Sequence, residues 1–331
     1  MPSRRSRRRL ILSCLGAALA TYGVRPAWAQ TGADYPARPI RLIVPFPPAG
    51  ATDILARELA RQLSERLKQQ VIVDNRPGAG GTLGSDLTAK AAPDGYTIQM
   101  ATSSTHAIGP LLNPKIPYNP QTDFTPVAHV ADSANVLLVA PNVKAANVRE
   151  LVALLNSQPG KFNYGSSGNG TIVHLTGELF KSMTGTFVVH IPYRGTALVI
   201  PDMIAGQIHL LFDNVASALP HLKDGRVRAL AVTSLTRSQL LPDLPTVADT
   251  VPGFESSTWF GVFGPRNMPA EATQRMNAEI NAILKSREFI ERLKTLGYDA
   301  AGGTPADFAR VVQRDTDKWA RLIKERKITA E

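Results

Sequence analysis

The chain has 331 residues, 44% of them hydrophobic and 6% aromatic, with a formal net charge of +10. That length and apolar content suffice for two domains with their own cores. The sparse aromatics are not interleaved with basic residues, which argues against a binder of single-stranded nucleic acid.

The charge is unevenly placed. Residues 1–29 carry six arginines and no acid, so the remainder has a net charge of only +4. The segment reads as a secretory signal peptide: a positive start (MPSRRSRRRL), a short apolar run (LILSCLGAALA), and Ala27 and Ala29 in the pattern that a signal peptidase cuts. The apolar run is too short to span a bilayer. Ser6–Ile11 (SRRRLI) also reads as a loose twin-arginine signal. Cys14, the chain's only cysteine, could alternatively be a lipid-attachment site, but it stands at the start of the apolar run and not at its end. Cleavage after Ala29 would leave no cysteine and place the protein in the periplasm, with no disulfide framework.

Beyond residue 30, strand-like and helix-like patterns alternate. IRLIV (40–44) leads into TDILARELARQLSERL (52–67), where Leu55, Leu59, Leu63 and Leu67 recur every four residues as one buried stripe. VIVDN (71–75) is followed by a glycine-rich loop and a helix near 82–91. PDGYTIQMA opens a strand from an Asp94-Gly95 turn, and NVLLVAP (135–141) precedes a helix near 147–156. FNYGS, FVVHIPY (187–193), IHLLFDN (208–214) and VRALAVTS (227–234) continue the strands, with helices starting near Ile172, Thr196 and Ala216. TWFGVFGP (258–265) is a last strand. Helices over 270–296 and 305–326 close the chain, with Gly297 as the C-terminal stop of the first. Strands separated by helices imply parallel sheets covered on both faces, in two blocks. In such sheets ligands bind outside the carboxyl ends of the strands.

Three loops at those ends are rich in glycine or proline and open a helix: PFPPAGATD, NRPGAGGTLG and GSSGNGT. A helix N-terminus offers unpaired N–H groups and the positive end of the dipole. Glycine lets the backbone approach an anion closely. Thr52 and Thr171 are suitable N-caps, and Asp53 suits the helix dipole. The plain alternative is a tight strand-to-helix turn. None of the loops reads GxxxxGK[ST] or GxGxxG, and Gly165–Asn169 fails the GxSxG pattern of a nucleophilic serine at its fifth residue. His106, His129, His174, His190, His209 and His221 show no metal-ligand spacing, and His174 suits capping or packing. No catalytic set, metal site or cofactor site can be assembled. Asp213, after four apolar residues at a strand's ligand edge, is a candidate hydrogen-bond acceptor, with a structural turn acid as the alternative. Arg194 offers a planar fork for a carboxylate, or else a partner for an acid elsewhere in its domain.

Eight stretches in fixed order resemble one family: PIRLIVPFPPAGATDILAR, VIVDNRPGAGGTLG, PDGYTI, FNYGSSGNGTIVHLTGELF, IPYRGT, LLFDN, LKDGRVRALAVTS and LPDLPTV. They are similar to the Bug, or TctC-type, periplasmic substrate-binding proteins of tripartite tricarboxylate transporters, from about Tyr35 to the C-terminus. The resemblance implies an α/β, two-lobe type II "Venus flytrap", each lobe a mainly parallel sheet flanked by helices. Lobe 1 would be 34–132 plus 258–331, and lobe 2 would be 133–257. It implies no enzyme and no cofactor. A ligand carboxylate would be held by Phe46, Ala49, Gly50 and Ala51 of the first loop and by Ser166, Ser167, Gly168 and Thr171 of the third. Asp213 and Ser103–Ser104 would meet the ligand's other end. The family's Pro-Gly-Gly reads Pro48-Ala49-Gly50 here, and alanine resists positive φ. The implied function is carboxylate capture and delivery to a membrane permease by a monomer. The alternative is a sensor that presents the bound acid to a two-component sensor kinase.

Overall fold

The strand at Ile40–Val44 (β1) takes its place because its side chains are apolar on both faces: four of its five residues are buried. The computed structural model describes residues 35–329, so the expected signal peptide lies outside the described residues. The elements below belong to one unit, Arg38–Glu331.

After β1 come α1 (Ala51–Leu67), β2 (Val71–Asn75), a 3-10 turn leading into α2 (Thr82–Ala89), and β3 (Thr97–Thr102). The leucine stripe of α1 is buried as its spacing predicts, with Leu55, Leu59 and Leu63 fully inaccessible. A π-helical turn, Ser104–Ile108, runs into α3 (Gly109–Leu112). Then comes β4, Phe124–Val139, a strand of 16 residues. The alternation continues through α4 (Val148–Ser157), β5 (Asn163–Ser166), α5 (Ile172–Thr184), β6 (Val189–Pro192), α6 (Val199–Ile204), β7 (Leu210–Asn214), α7 (Val215–Lys223) and β8 (Arg228–Val232). The chain closes with β9 (Ser257–Pro265), α8 (Ala270–Leu284), α9 (Arg287–Leu296), a short β10 (Asp299–Ala300) and α10 (Pro305–Arg326). The single helix expected over 270–296 is two, because Ser286 caps a new start by accepting from Phe289 N–H at 3.3 Å. Gly297 ends α9 at φ 90°.

The sheet path runs β2-β1-β3-β9-β4-β7-β5-β6, with β8 and β10 also on β4. The parallel order expected from strand–helix alternation holds for β1–β2, β1–β3, β5–β6 and β5–β7. The pairs made by β4 and β9 are antiparallel, so both sheets are mixed. Residues Phe124–Ala134 of β4 pair with β9, and Asn135–Val139 pair with β7 and β8. One strand therefore serves two sheets, and its register changes partner between Ala134 and Asn135. This two-lobe α/β arrangement brings the post-strand loops of both sheets to one cleft.

Candidate functional site

The first wall of the cleft is the start of α1. Ala49 takes the left-handed conformation at φ 66°, which costs an alanine about 1 kcal/mol. Its N–H donates to Asp53 Oδ2 at 3.0 Å, and Asp53 Oδ1 accepts from Asn75 Nδ2 at 2.9 Å. Burial pushes the Asp53 carboxyl up, but the bonds from Arg57, Ala49 and Asn75 outweigh it and hold it below the usual carboxylate range. Asp53 is thus the brace that turns the loop. The helix begins at Ala51, with Gly50 as N-cap and no side-chain cap, so Thr52 lies inside the first turn and is not the cap its residue type predicts. The N–H groups of Ala51 and Thr52 have no partner among the described residues.

A cavity of about 40 Å³, room for roughly three water molecules, lies against this turn. Phe46, Pro47, Gly50, Ala51 and Thr52 line one side, and Ser167, Ile172, Gly195, Thr196 and Asn214 the other. Thr102, Ser104, Val173, Ala197, Thr258 and Phe260 complete it. Thr102 is 2% exposed and its Oγ1 has no hydrogen-bond partner. The Thr102 hydroxyl is sealed from the cavity, whereas the two unpaired N–H groups at its wall are donors with nothing of the protein to receive them. An anion satisfies both.

The glycine-serine loop is more internally committed than its composition indicates. Gly168 N–H donates to Ser166 Oγ at 3.1 Å, and Ser166 Oγ also bonds His190 Nε2 at 2.6 Å. Thr171 Oγ1 donates to Gly168 O at 2.7 Å and caps α5 by accepting from His174 N–H. Gly170 N–H donates to His174 Nδ1 at 3.2 Å, the capping role expected of that histidine. Burial pushes the His174 imidazole down to about 3, with His190 and Lys181 adding to it. Ser166, Gly168 and Thr171 thus shape the loop, while Ser167 faces the cavity. At Gly168 φ is 121°, and a Cβ would stand 3.3 Å from Tyr193 O and 3.4 Å from Gly80 Cα.

Of the remaining expected residues, Phe46, Gly50, Ala51 and Ser104 line the cavity. Ser103 is fully buried and not among the lining residues. Arg194 is exposed and not among the lining residues. Asp213 is 1% exposed; Oδ1 accepts from Asn214 N–H at 2.9 Å, and Oδ2 has no partner of good geometry. Burial pushes its carboxyl up to about 6, against the pull of the nearby Ser217 and Thr196 hydroxyls. It backs the cavity beside Asn214. Thr102, Thr196, Asn214 and Thr258 are lining residues that sequence reasoning missed; Asn214 could have been found as the neighbour of Asp213 at the same strand edge. Among the described residues no cluster of His, Cys, Asp and Glu could hold a metal ion.

Two lobes closing on an anion cradle define a solute-binding protein. Residues 55–328 match the tripartite tricarboxylate transporter family receptor model, and the chain belongs to that family. It is 37% identical to Protein BugT of Bordetella pertussis, over 95% of this chain and 97% of that one. A solved R. palustris structure with adipate superposes with a TM-score of 0.88 at 37% identity, covering 89% of this chain and 99% of that one. MatC from Rhodopseudomonas palustris with bound malate gives 0.84 at 29% identity, covering 87% and all of that chain (100%). The family is one of transporter receptors, and this chain is accordingly a solute-binding protein and not an enzyme.

Proposed function

We propose that this protein captures a small carboxylate in the periplasm and delivers it to the membrane subunits of a tripartite tricarboxylate-type transporter. The observation that carries this reading is the unpaired N–H pair of Ala51 and Thr52 at the wall of one cavity, with Ser167 lining it from the glycine-serine loop. The adipate and malate in the neighbouring structures support the ligand class, and the receptor description of the family supports the transporter. Among the described residues no helix is long and apolar enough to cross a membrane.

In this reading the lobes are residues up to 132 with 258 onward, and 133–257. The change of partner at Ala134–Asn135 and the start of β9 at Ser257 support those boundaries. The ligand carboxylate lies against Gly50, Ala51 and Thr52 of lobe 1 and Ser167 of lobe 2. Micromolar affinity needs about −8 kcal/mol. A helix end contributes about 0.5–2 kcal/mol and each charge-assisted hydrogen bond about 1.5–3. Three such bonds and the helix end give about 5–11 kcal/mol, less than that requirement plus an association cost of about 4 kcal/mol or more, so lobe closure that excludes water and buries the ligand supplies the remainder.

A thermal-shift panel of short mono- and dicarboxylates tests the reading. An acid at 100 times its Kd stabilises by about 2.7 kcal/mol, about 5 °C for a chain of this size. A shift with an acid and none with its amide is the expected result. A panel in which amides shift the melting temperature as much as acids would reject the carboxylate.

A further inference from the structure

The cavity also presents one acceptor, and its orientation is set by a chain of hydrogen bonds that begins at a group able only to accept. Thr176 Oγ1 donates to the Ile172 carbonyl at 2.7 Å, so its single proton is spent. Toward its other neighbours it can only accept. Ser256 Oγ, 2.6 Å away, therefore donates to it. Asn135, 3.5 Å away, turns its Nδ2 toward it. That leaves Asn135 Oδ1 facing the opposite way, where it receives Thr258 Oγ1 at 3.2 Å and Asn214 Nδ2 at 2.7 Å. The Thr258 hydroxyl has thereby used its proton too, and it accepts the second hydrogen of Asn214 Nδ2 at 2.8 Å. Reversing the Asn214 amide would set its oxygen against Asn135 Oδ1, two acceptors at hydrogen-bond distance. Every member of this network is buried.

Asn214 Oδ1 is consequently held away from the network. It has no partner among the described residues, yet it is not one of the sealed, unpartnered polar atoms. Asn214 lines the cavity that Ala51 and Thr52 line from the other side. The cavity thus has a donor wall and a fixed acceptor.

We infer that the ligand carries a hydrogen-bond donor, a hydroxyl or an amine, beside its carboxylate, and that Asn214 Oδ1 selects it. A bare second carboxylate cannot satisfy Asn214 directly, since it would place oxygen lone pairs against oxygen lone pairs. A hydroxyl can donate to Asn214 while its oxygen accepts from a donor on the facing wall. This inference rests on the carboxylate reading of the site and narrows it.

Calorimetric titration of the purified protein with matched acids tests it: butanoate against 2-hydroxybutanoate and 2-aminobutanoate, and succinate against malate and aspartate. The donor-bearing acids should bind at least about tenfold tighter than their parents, the ratio that one satisfied buried acceptor confers. The hydroxy and amino arms identify which donor is taken. In Asn214→Leu the ratio should fall to about one, as a hydrocarbon cannot tell a hydroxyl from a hydrogen by bonding. Parent acids that bind as tightly as the substituted ones would overturn this inference and leave the carboxylate reading standing. A ratio that survives in Asn214→Leu would overturn the role of Asn214. Failure of every acid to bind would overturn the carboxylate reading, and this inference with it.

Discussion

Ser104 Oγ accepts the N–H of Ile172 at 3.0 Å. Ser104 opens the π-helical turn after β3, and Ile172 is the first residue of α5 on the other sheet, 68 positions later. A side chain beyond β3 thus satisfies a helix N–H beside β5, and in the proposed two-lobe reading opening of the cleft would break the bond. Removing it should cost about 1 kcal/mol of closure. In Ser104→Ala the ligand-free protein should have a larger radius of gyration by small-angle scattering, and the best acid of the panel should bind about fivefold weaker. A scattering curve identical to that of the parent would mean that the bond does not hold the lobes together.

Gly80 is a second closing contact. A Cβ there would stand 2.8 Å from Asn169 O, a backbone atom of the facing loop that cannot step aside. Gly80→Ala also asks alanine to adopt φ 65°, which costs about 1 kcal/mol whether the cleft is open or shut. In the proposed two-lobe reading the collision arises only as the two loops come together. The melting temperature of the ligand-free variant should therefore fall by only a few degrees, while affinity falls at least about tenfold. Loss of folding by circular dichroism would instead show that residue 80 matters to stability more than to closure.

Asp213 ties stability to pH. Its folded pKa of about 6 lies above the usual 3.8, so between those values the folded state binds the proton and the unfolded state does not. Stability from this group is therefore full below about pH 4 and is lost as pH rises through 6. The loss is on the order of 2–3 kcal/mol. Asp213→Asn, which keeps an acceptor for Asn214 N–H, should melt higher than the parent above pH 6 and converge with it near pH 4. A constant offset at all pH values would remove Asp213 as the cause.

His106 acts with the opposite sign. It is packed 4.4 Å from the ring centres of both Phe124 and Phe263, and burial pushes its pKa down to about 3. The unfolded chain takes up a proton below about 6.5 that the folded chain refuses. Stability is thus present above that value and lost as pH falls toward 3. Relative to His106→Phe, the parent should lose about 1.4 kcal/mol per pH unit between pH 6 and 4. Chemical denaturation at pH 7 and 4.5 measures the difference. Equal losses in both proteins would mean that His106 titrates normally.

Much of the secondary structure was legible in the residues. IRLIV and VIVDN are strands at the expected bounds, the helix at 172 begins just after its Thr171 cap, and the last helix spans 305–326 as expected. The first half of β4 was not legible. Pro126, His129 and Asp132 interrupt its alternation, and the register slips at Pro126/Ala128 and His129/Ala131. Those slips are bulges, which erase the period of two that reveals a strand. The turn that opens α1 at a cavity was legible from Pro48–Ala51. The acceptor wall was not, because Asn135 and Thr258 stand 123 positions apart and neutral amides and hydroxyls form no motif. The commitment of Gly168 N–H to Ser166 was also invisible, since a glycine in a sequence does not say where its N–H points.

The long β4 strand orders events in time. Its residue Phe124 pairs with Pro265, and β3 likewise meets only β9 on its free side. A ribosome that has produced β1, β2, β3 and β4 has made most of one sheet, but not the strand that belongs in its middle. The second lobe, whose strands β5 to β8 follow directly on β4, is complete before the first. The earlier half of the chain must wait, with an open seam between β3 and β4, until β9 arrives to fill it. Whatever shields the nascent protein has to cover that seam for the whole interval in which residues 140–256 are made.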